Sequence, residues 1–230
     1  MNQLLLRDAS SAEPGGSWNP DPGGIQAAEG GDRARTARVG LRLLLVAVSS
    51  LFFLFMVAFI LRSQVADWQP LTEPLAPLAS PWPLWLNSAL LVVASIALQW
   101  ARMAARRGRL GATVGGFALG GVFALAFLLG QLWVWQRFAA WGYFLASNPA
   151  NSFFYLLTGL HGVHLLGGLV AWGRTLVKFR QRMPLAQLSA SVELCAIYWH
   201  YLLGLWLVLF ALLTSTPETY QAIAAFCGLR

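Results

Sequence analysis

Five long stretches without a charged residue are the feature that most restricts the fold of this chain. They cover residues 43–61, 74–101, 110–136, 138–173 and 194–217. Without its Pro-rich and turn-like ends, each stretch leaves roughly 19–25 apolar residues, the number an α-helix needs to cross a hydrocarbon core of about 30 Å. The pattern therefore predicts an all-α polytopic membrane protein with five transmembrane helices. We place these predicted helices 1–5 at about 40–62, 84–104, 110–136, 152–174 and 191–214.

The overall composition agrees with a membrane protein. Only 11% of the residues are charged and 57% are hydrophobic, whereas a soluble domain carries about 25% charged residues. Residues 1–36 combine Gly, Pro and mixed charges without periodicity, which predicts a disordered cytoplasmic arm. A five-helix membrane domain then follows at 37–230. Because a polar segment precedes predicted helix 1, we do not expect that helix to be a cleaved signal peptide.

The basic residues predict how the helices are oriented. With five crossings, the N-terminal segment and the loops 102–109 and 174–182 share one side of the membrane. They hold all but three of the 16 Lys and Arg residues, the exceptions being Arg62, Arg137 and Arg230. Cytoplasmic loops carry such an excess, so we expect the N-terminus in the cytoplasm and the C-terminus outside. The net charge of +7 then reflects topology, and we expect no nucleic-acid partner.

Small residues recur at four-residue spacing where predicted helix 3 begins, in the run GATVGGFALGG. The pairs Gly111–Gly115 and Gly116–Gly120 predict close packing against a neighbouring helix, because small residues allow backbones to approach each other in a membrane. We expect the same packing role for Gly162 on predicted helix 4 and Gly204 on predicted helix 5.

All three histidines lie on the last two predicted helices, together with the one acidic residue outside the arm and the exterior loops. His161 and His164 are three residues apart, and Glu193 and His200 are seven apart, so each pair shares a helix face. Placing an ionisable side chain inside a membrane costs free energy, so such residues usually have a functional or structural role. Helices 4 and 5 are expected to be antiparallel neighbours, so His–His or His–Glu contact between them is plausible.

Three roles are open to this group: a metal or haem site, a proton path, or a hydrogen-bonded network that fastens helices 4 and 5. A metal or haem site in lipid needs more converging ligands than this chain offers. A proton path needs titratable groups across the membrane, but predicted helices 1–3 contain no carboxylate, histidine or lysine. We therefore favour the structural network, and we expect no catalytic, cofactor-binding or metal site in this chain.

Two runs on these helices resemble the last two helices of subunit III of haem-copper oxidases. The family has T-G-x-H-G-x-H on one helix, which is matched by Thr158, Gly159, His161, Gly162 and His164. It has E-x-x-x-x-Y-W-H on the next, which is matched by Glu193, Tyr198, Trp199 and His200. With weaker matches at 39–45 and 85–101, the resemblance covers roughly residues 38–215, in the five-helix form common in bacteria.

The resemblance implies a multi-pass subunit of the bacterial inner membrane without redox centres of its own. Its partners would be catalytic subunit I and other oxidase subunits, which hold haem and copper, reduce oxygen and pump protons. In the family this subunit also surrounds a cleft filled with phospholipids, and it supports proton uptake, stability during turnover and oxygen access. The matched residues look structural in the family, which adds Tyr198 and Trp199 to the expected network.

Two positions depart from the family pattern. The family often has a carboxylate midway along the helix that corresponds to predicted helix 1, where this chain offers only Ser49 and Ser50. It also often has Asp at the position of Leu203. Both differences count against a role in moving protons, and they leave open an accessory or assembly protein of a nitric oxide reductase. A free-standing transporter with its site at the three histidines and Glu193 is a third hypothesis.

Overall fold

A computed structural model describes residues 22–72, 78, 81–181, 185–226 and 228, with the backbone alone for 22–34 and 185–187. Six α-helices make up the regular structure of these described residues, which contain no strand. The helices are α1 (Pro22–Arg62), α2 (Trp82–Arg106), α3 (Leu110–Ala140), α4 (Pro149–Arg180), α5 (Leu185–Leu213) and α6 (Pro217–Phe226). The first five are long and apolar enough to cross a membrane, which confirms the predicted all-α fold with five spans.

Several helices extend past the bounds predicted from hydropathy. α4, for example, begins at Pro149, where Asn148 Oδ1 accepts a hydrogen bond of 3.1 Å from the backbone N–H of Ala150. It continues to Arg180, well beyond the apolar run. Hydropathy marks the hydrocarbon core, whereas the helical hydrogen bonds continue through the headgroup region on either side. The apolar runs therefore locate the spans but underestimate the helices.

The first helix differs most from the prediction. α1 begins at Pro22, so residues 22–36 of the expected disordered arm are helical, while residues 1–21 lie outside the described residues. Proline suits the first position of a helix, and the Ala, Gln, Glu and Arg residues that follow favour helix, whereas the four glycines among them do not. The apolar part of α1 is itself helical, so the helix extends back to Pro22 without the free-energy cost of a new nucleation step. Contacts divide the chain into two units, residues 1–39 and 40–230, and residues 22–39 of α1 are the described part of the first.

Helices α2 to α5 form a four-helix bundle in which neighbouring helices are antiparallel. Along α2 and α5, Ser88 meets Trp206 and Ser95 meets His200, so residue numbers rise along one helix and fall along the other. α2 packs against α3 and α5, and α4 packs against the same two helices. The helices therefore follow one another around the bundle in chain order, as short connections favour.

Aromatic side chains fill much of the bundle interior. The ring of Phe127 meets Trp206 edge-on at 4.9 Å, and Phe138 stacks on Phe154 at 4.7 Å. Lipid tails are as apolar as these side chains, so the contacts stabilise the bundle through van der Waals packing rather than through the hydrophobic effect.

From Gly40 onward, α1 packs beside α4 and α5 mainly through side chains. The Ser49 and Tyr201 hydroxyls are 2.8 Å apart, and the buried ring of Phe52 lies 5.6 Å from the ring of His164. Apolar side chains cover much of the remaining surface of α1 and are exposed, among them Leu43, Val46, Phe53 and Leu54. An apolar surface of this kind is suited to lipid or to another subunit.

One end of the unit is closed by the segment after α1 and by the short helix α6, which lies outside the predicted spans. Arg62 donates to both carboxylate oxygens of Asp67, at 2.6 and 2.5 Å, and these hydrogen bonds hold the pKa of Asp67 below its usual value. The Tyr220 hydroxyl of α6 donates to the carbonyl oxygen of Leu212 at 2.9 Å. Its ring packs edge-on against Phe59 at 5.3 Å, which holds α6 against α1.

Candidate functional site

Glu193 of α5 is paired with two arginines of α2. Its Oε1 accepts hydrogen bonds from Arg102 Nη2 at 2.8 Å and from Arg106 Nη2 at 2.9 Å. The two arginines are four residues apart, so one turn of α2 presents both guanidinium groups to the same carboxylate. Because Glu193 and Arg102 are each only about a quarter exposed, each charge depends on the other more than in a surface ion pair.

His200 is also bonded to α2. Its Nε2 lies 3.1 Å from Gln99 Oε1, and its Nδ1 lies 2.5 Å from Ser95 Oγ. With the amide oriented in this way, Gln99 Oε1 can only accept, so Nε2 of the neutral imidazole carries the proton. Nδ1 then accepts from the Ser95 hydroxyl, and both ring nitrogens are satisfied.

Together these contacts form one polar ladder between α2 and α5. Its members on α2 are Ser95, Gln99, Arg102 and Arg106, and its members on α5 are Glu193 and His200. We expected Glu193 and His200 to bond to helix 4, but the contacts described above join them to α2, because antiparallel packing places α2 against this face of α5. The four α2 residues form one helical stripe, with spacings of four, three and four. That stripe was not used to predict the contact, although it is the one signal in the sequence that could have indicated the ladder.

Helices α4 and α5 are joined through Tyr198. Its hydroxyl donates to the backbone carbonyl of His164 at 2.9 Å, and its ring lies over Gly168. The His164 side chain bonds within its own helix, with Nδ1 at 2.8 Å from the carbonyl oxygen of Leu160. Among the residues of the predicted network, this hydrogen bond between α4 and α5 therefore runs from a tyrosine to a backbone carbonyl.

His161 and Trp199 are the two most enclosed residues of the predicted network. The His161 ring is 0% exposed and lies 5.2 Å from the ring of Trp206 and 5.8 Å from that of Phe127. Trp199 is 1% exposed and packs beside Gly168. Within the described part of the chain, neither ring nitrogen of His161 has a hydrogen-bond partner, and the Trp199 Nε1 has none either.

The six glycines expected to pack against neighbours fall into three groups. A Cβ on Gly116 would lie 3.0 Å from the carbonyl oxygen of Ala97, and one on Gly120 would lie 2.6 Å from Leu98 Cγ, so both face α2 closely. A Cβ on Gly162 would lie 3.9 Å from the nearest neighbouring atom, in ordinary contact. A Cβ on any of the other three would have no described atom within 4 Å; these are Gly111, Gly115 and Gly204.

Helix rotation explains the difference within the run GATVGGFALGG. Gly115 and Gly116 are adjacent, so they point about 100° apart, and only one pair of the run can face α2. Three further close contacts were not predicted from the sequence. In each of them a glycine lies against a side chain from another helix. Gly121 lies under Trp172, Gly130 under Asn87 and Gly168 under Tyr198.

Two cavities flank α1. One measures about 730 Å³ and lies between α1 and α5, where Ser49, Ser50, Tyr201 and Gly204 contribute to its lining; we call it the Gly204 groove. The other measures about 410 Å³ and lies between α1, α4 and α5, where His164, Gly167, Cys195 and Tyr198 contribute; we call it the His164 cavity. Both are predominantly apolar, and both are large enough for hydrocarbon chains or bulky side chains.

Most polar residues of the predicted network contact a neighbouring helix or their own helix. Among the described residues, no group of three or more His, Cys, Asp and Glu side chains could hold a metal ion. Glu193 and His200 instead bind α2, and His164 bonds within α4. The arrangement can fasten helices and bury polar groups.

Comparison with known proteins gives consistent matches. A family model described as cytochrome c oxidase subunit III matches residues 25–215. A cytochrome c oxidase subunit 3 from Synechocystis sp. is 31% identical over 175 residues, which cover 75% of this chain and 72% of the relative. A probable cytochrome c oxidase subunit 3 from Mycobacterium leprae is 30% identical over 162 residues, which cover 70% of this chain and 77% of the relative. A cytochrome c oxidase subunit 3 from Thermostichus vulcanus is 29% identical over 181 residues, which cover 76% of this chain and 85% of the relative.

Proposed function

Because the chain belongs to the cytochrome c oxidase subunit III family, we propose that its bundle packs beside the catalytic haem-copper subunit and stabilises that subunit during turnover. The chain is a non-catalytic, multi-pass subunit of a bacterial plasma-membrane terminal oxidase, and it associates with other oxidase subunits. In this proposal subunit I, the partner, carries the haem and copper. This chain packs against the side of subunit I and stabilises it.

The polar ladder is the observation that supports this role. Glu193 and His200 belong to the motif that marks the family, and both bind residues of α2 inside the chain. α2 and α5 are the first and last helices of the four-helix bundle, so the ladder closes it. These contacts between α2 and α5 make the four-helix bundle rigid. A rigid bundle suits a subunit that acts by packing against a partner.

The apolar surface around α1 is the part of the chain that we assign to partners. Leu43, Val46, Phe53 and Leu54 are exposed there, beside the Gly204 groove. We propose that the catalytic subunit contacts this face. We propose also that phospholipid acyl chains occupy the His164 cavity, whose lining is almost wholly apolar. Both assignments extend what the family resemblance implies.

Support of the catalytic subunit, rather than proton delivery, fits the residues on α1 and α5. Ser49 donates to the carbonyl oxygen of Leu45 at 2.8 Å, and Ser50 donates to that of Val46 at 3.0 Å, so both hydroxyls bond within α1. Leu203 packs against the apolar core. None of these three positions carries a titratable group, so any effect of these residues on proton uptake would be indirect.

The relatives reported above are all named as subunits of cytochrome c oxidase. This favours the oxidase over the two alternatives from the sequence, an accessory protein of a nitric oxide reductase and a free-standing transporter. The Glu193 contacts point the same way, because a carboxylate paired with two arginines is poorly placed to bind and release a substrate.

Affinity purification in mild detergent through a tag on this chain tests the proposal. We expect a haem-containing, oxygen-reducing subunit to co-purify, and we expect its activity to decay faster during turnover once this chain is removed. A haem-free product with transport activity would refute the proposal. Equal decay of activity with and without this chain would refute the stabilising role while leaving the association intact.

A further inference from the structure

Five buried polar residues lie at one depth of the bundle and come from all four of its helices. Trp206 Nε1 of α5 donates to Ser88 Oγ of α2 at 2.9 Å. Asn87 Nδ2 of α2 donates to Gln131 Oε1 of α3 at 3.2 Å. The His161 ring of α4 lies 5.2 Å from the Trp206 ring. We call these five residues the polar layer.

His161 and Gln131 are level with each other within this layer. Trp135 Nε1 of α3 donates to Thr158 Oγ1 of α4 at 3.1 Å. Trp135 and Thr158 are therefore level with each other, and α3 and α4 run in opposite directions. Gln131 lies one turn before Trp135, so it is level with the residue about one turn after Thr158. That residue is next to His161. Phe127, one turn before Gln131, lies 5.8 Å from the His161 ring. The two polar side chains thus approach the same part of the bundle interior.

The hydrogen bonding of the polar layer is incomplete within the described residues. Neither His161 Nδ1 nor Nε2 has a partner, and Gln131 Nε2 has none. All five side chains of the layer are 5% exposed or less, so lipid and bulk water do not reach them. A neutral imidazole always carries one donor and one acceptor, and leaving a buried polar group unsatisfied costs about 1–3 kcal/mol.

We propose that the polar layer is a binding site for internal water, with at least one molecule bridging His161 and Gln131. Water both donates and accepts, so it accepts from Gln131 Nε2 and donates to the unprotonated nitrogen of His161. Buried waters recur at about one per 27 residues, at sites where otherwise unsatisfied polar groups converge. An apolar occupant would leave these nitrogens unsatisfied, so water is the ligand that fits the chemistry.

The proposed water site is separated from the polar ladder. Leu91 of α2 and Leu202 of α5 lie between the polar layer and the Ser95–His200 pair, and they are 1% and 0% exposed. An apolar barrier of this kind interrupts a chain of hydrogen bonds. The site therefore binds water to complete the interior of the bundle, and it is not a segment of a proton path.

A high-resolution cryo-EM structure of the assembled oxidase tests the proposal directly. We expect a separate density within hydrogen-bond distance of both a His161 ring nitrogen and the Gln131 amide. Two results would overturn the proposal. One is a direct hydrogen bond from His161 to a Gln131 amide of the opposite orientation, and the other is the lack of such a density where both side chains are well ordered.

Radiolytic hydroxyl labelling of the same complex supplies an independent measurement. Radicals formed from a trapped water modify the nearest rings, so we expect Phe127 and Trp206 to be labelled more than Phe117, which is equally buried and lies nearer the start of α3. His161→Phe removes both ring nitrogens and should reduce labelling of the two rings to the level of Phe117. Labelling no greater than that of Phe117 in the unmodified complex would count against a water in the layer.

Discussion

Glu193 Oε1 of α5 lies 2.8 Å from Arg102 Nη2 of α2, and this pair joins two helices that are far apart in the chain. The same oxygen accepts a second hydrogen bond from Arg106 at 2.9 Å. α5 thus binds the helix that begins the bundle, and the bundle closes on itself. Breaking this link should loosen the packing of the subunit without reaching any redox centre.

Glu193→Gln should destabilise the subunit. The substitution keeps the shape of the side chain but removes the charge that two arginines share. Exposed ion pairs contribute up to about 1 kcal/mol and breaking a buried one costs about 3–5 kcal/mol, so we expect a loss of about 1–3 kcal/mol for this partly exposed cluster. The measurement is the thermal unfolding midpoint of the purified complex together with its haem spectrum, which should stay unchanged.

The matched control for this substitution is Glu218→Gln, because Glu218 is an exposed carboxylate at the start of α6. We expect the control to unfold like the unmodified complex. Altered haem content in the Glu193 variant would contradict a structural role, and equal unfolding midpoints for the two variants would contradict the importance of the ladder.

A double-mutant cycle on Ser95 and His200 should detect the second part of the ladder. Ser95→Ala and His200→Ala each leave one polar group without its partner, whereas the double variant loses both partners together. Hydrogen bonds between membrane helices average about 0.6 kcal/mol and reach about 1.7 kcal/mol, so we expect a coupling energy in that range. Denaturant unfolding of the four proteins measures it, and additive effects would show that the Ser95–His200 contact contributes nothing.

The sequence predicted the spans because charge and hydropathy act locally, along each helix. It did not predict the ladder, because the contact between α2 and α5 depends on which helices become neighbours. Ser95 and Gln99 are uncharged and belong to neither family motif, although they share a stripe with Arg102. The neighbour that a polar residue meets is set by bundle packing, which local charge and hydropathy patterns do not reveal.

The glycine run shows the same limit at the scale of one helix. Two consecutive glycine pairs with the same spacing begin α3, and their spacing alone does not indicate which pair faces a neighbour. Gly116 and Gly120 do, whereas Gly111 and Gly115 point to open space. The helical part of the predicted arm and the short helix α6 were missed for a different reason, since neither carries an apolar run long enough to mark a span.

Gly116→Ala should lower the stability of the subunit and Gly115→Ala should not, although the two residues are adjacent. A Cβ at Gly116 would lie 3.0 Å from the Ala97 carbonyl oxygen and 3.2 Å from Ala101 Cβ, so α2 and α3 must move apart. Overpacking of this kind costs about 1–3 kcal/mol. A Cβ at Gly115 meets nothing within 4 Å, so Ala there should be neutral or stabilise by up to about 1 kcal/mol. Unfolding midpoints measure both, and equal effects would contradict the close approach of α2 and α3.

Tyr220 should titrate as a buried phenol. Burial raises the pKa of Tyr220 to about 12, compared with about 10 for a free tyrosine. Because the folded state favours the protonated form, this contribution to stability is complete below about pH 10 and is lost as the pH rises through about 12. The phenolate absorbance that disappears in Tyr220→Phe measures the group. A midpoint near the free value would contradict the packing of α6 against Phe59 and Leu212.

Gly204→Leu should weaken assembly of the oxidase more than it affects the chain itself. Gly204 lines the groove of about 730 Å³ beside α1, and a Cβ there would meet nothing within 4 Å, so the larger side chain fits without disturbing the bundle. It would, however, fill space that we assign to the catalytic subunit. We expect less haem to co-purify with the variant, while the isolated chain unfolds as before. Gly115→Leu, on an open face of α3, is the control. If both variants retain the same amount of haem, the catalytic subunit does not occupy the Gly204 groove, and its contact with this chain must lie elsewhere.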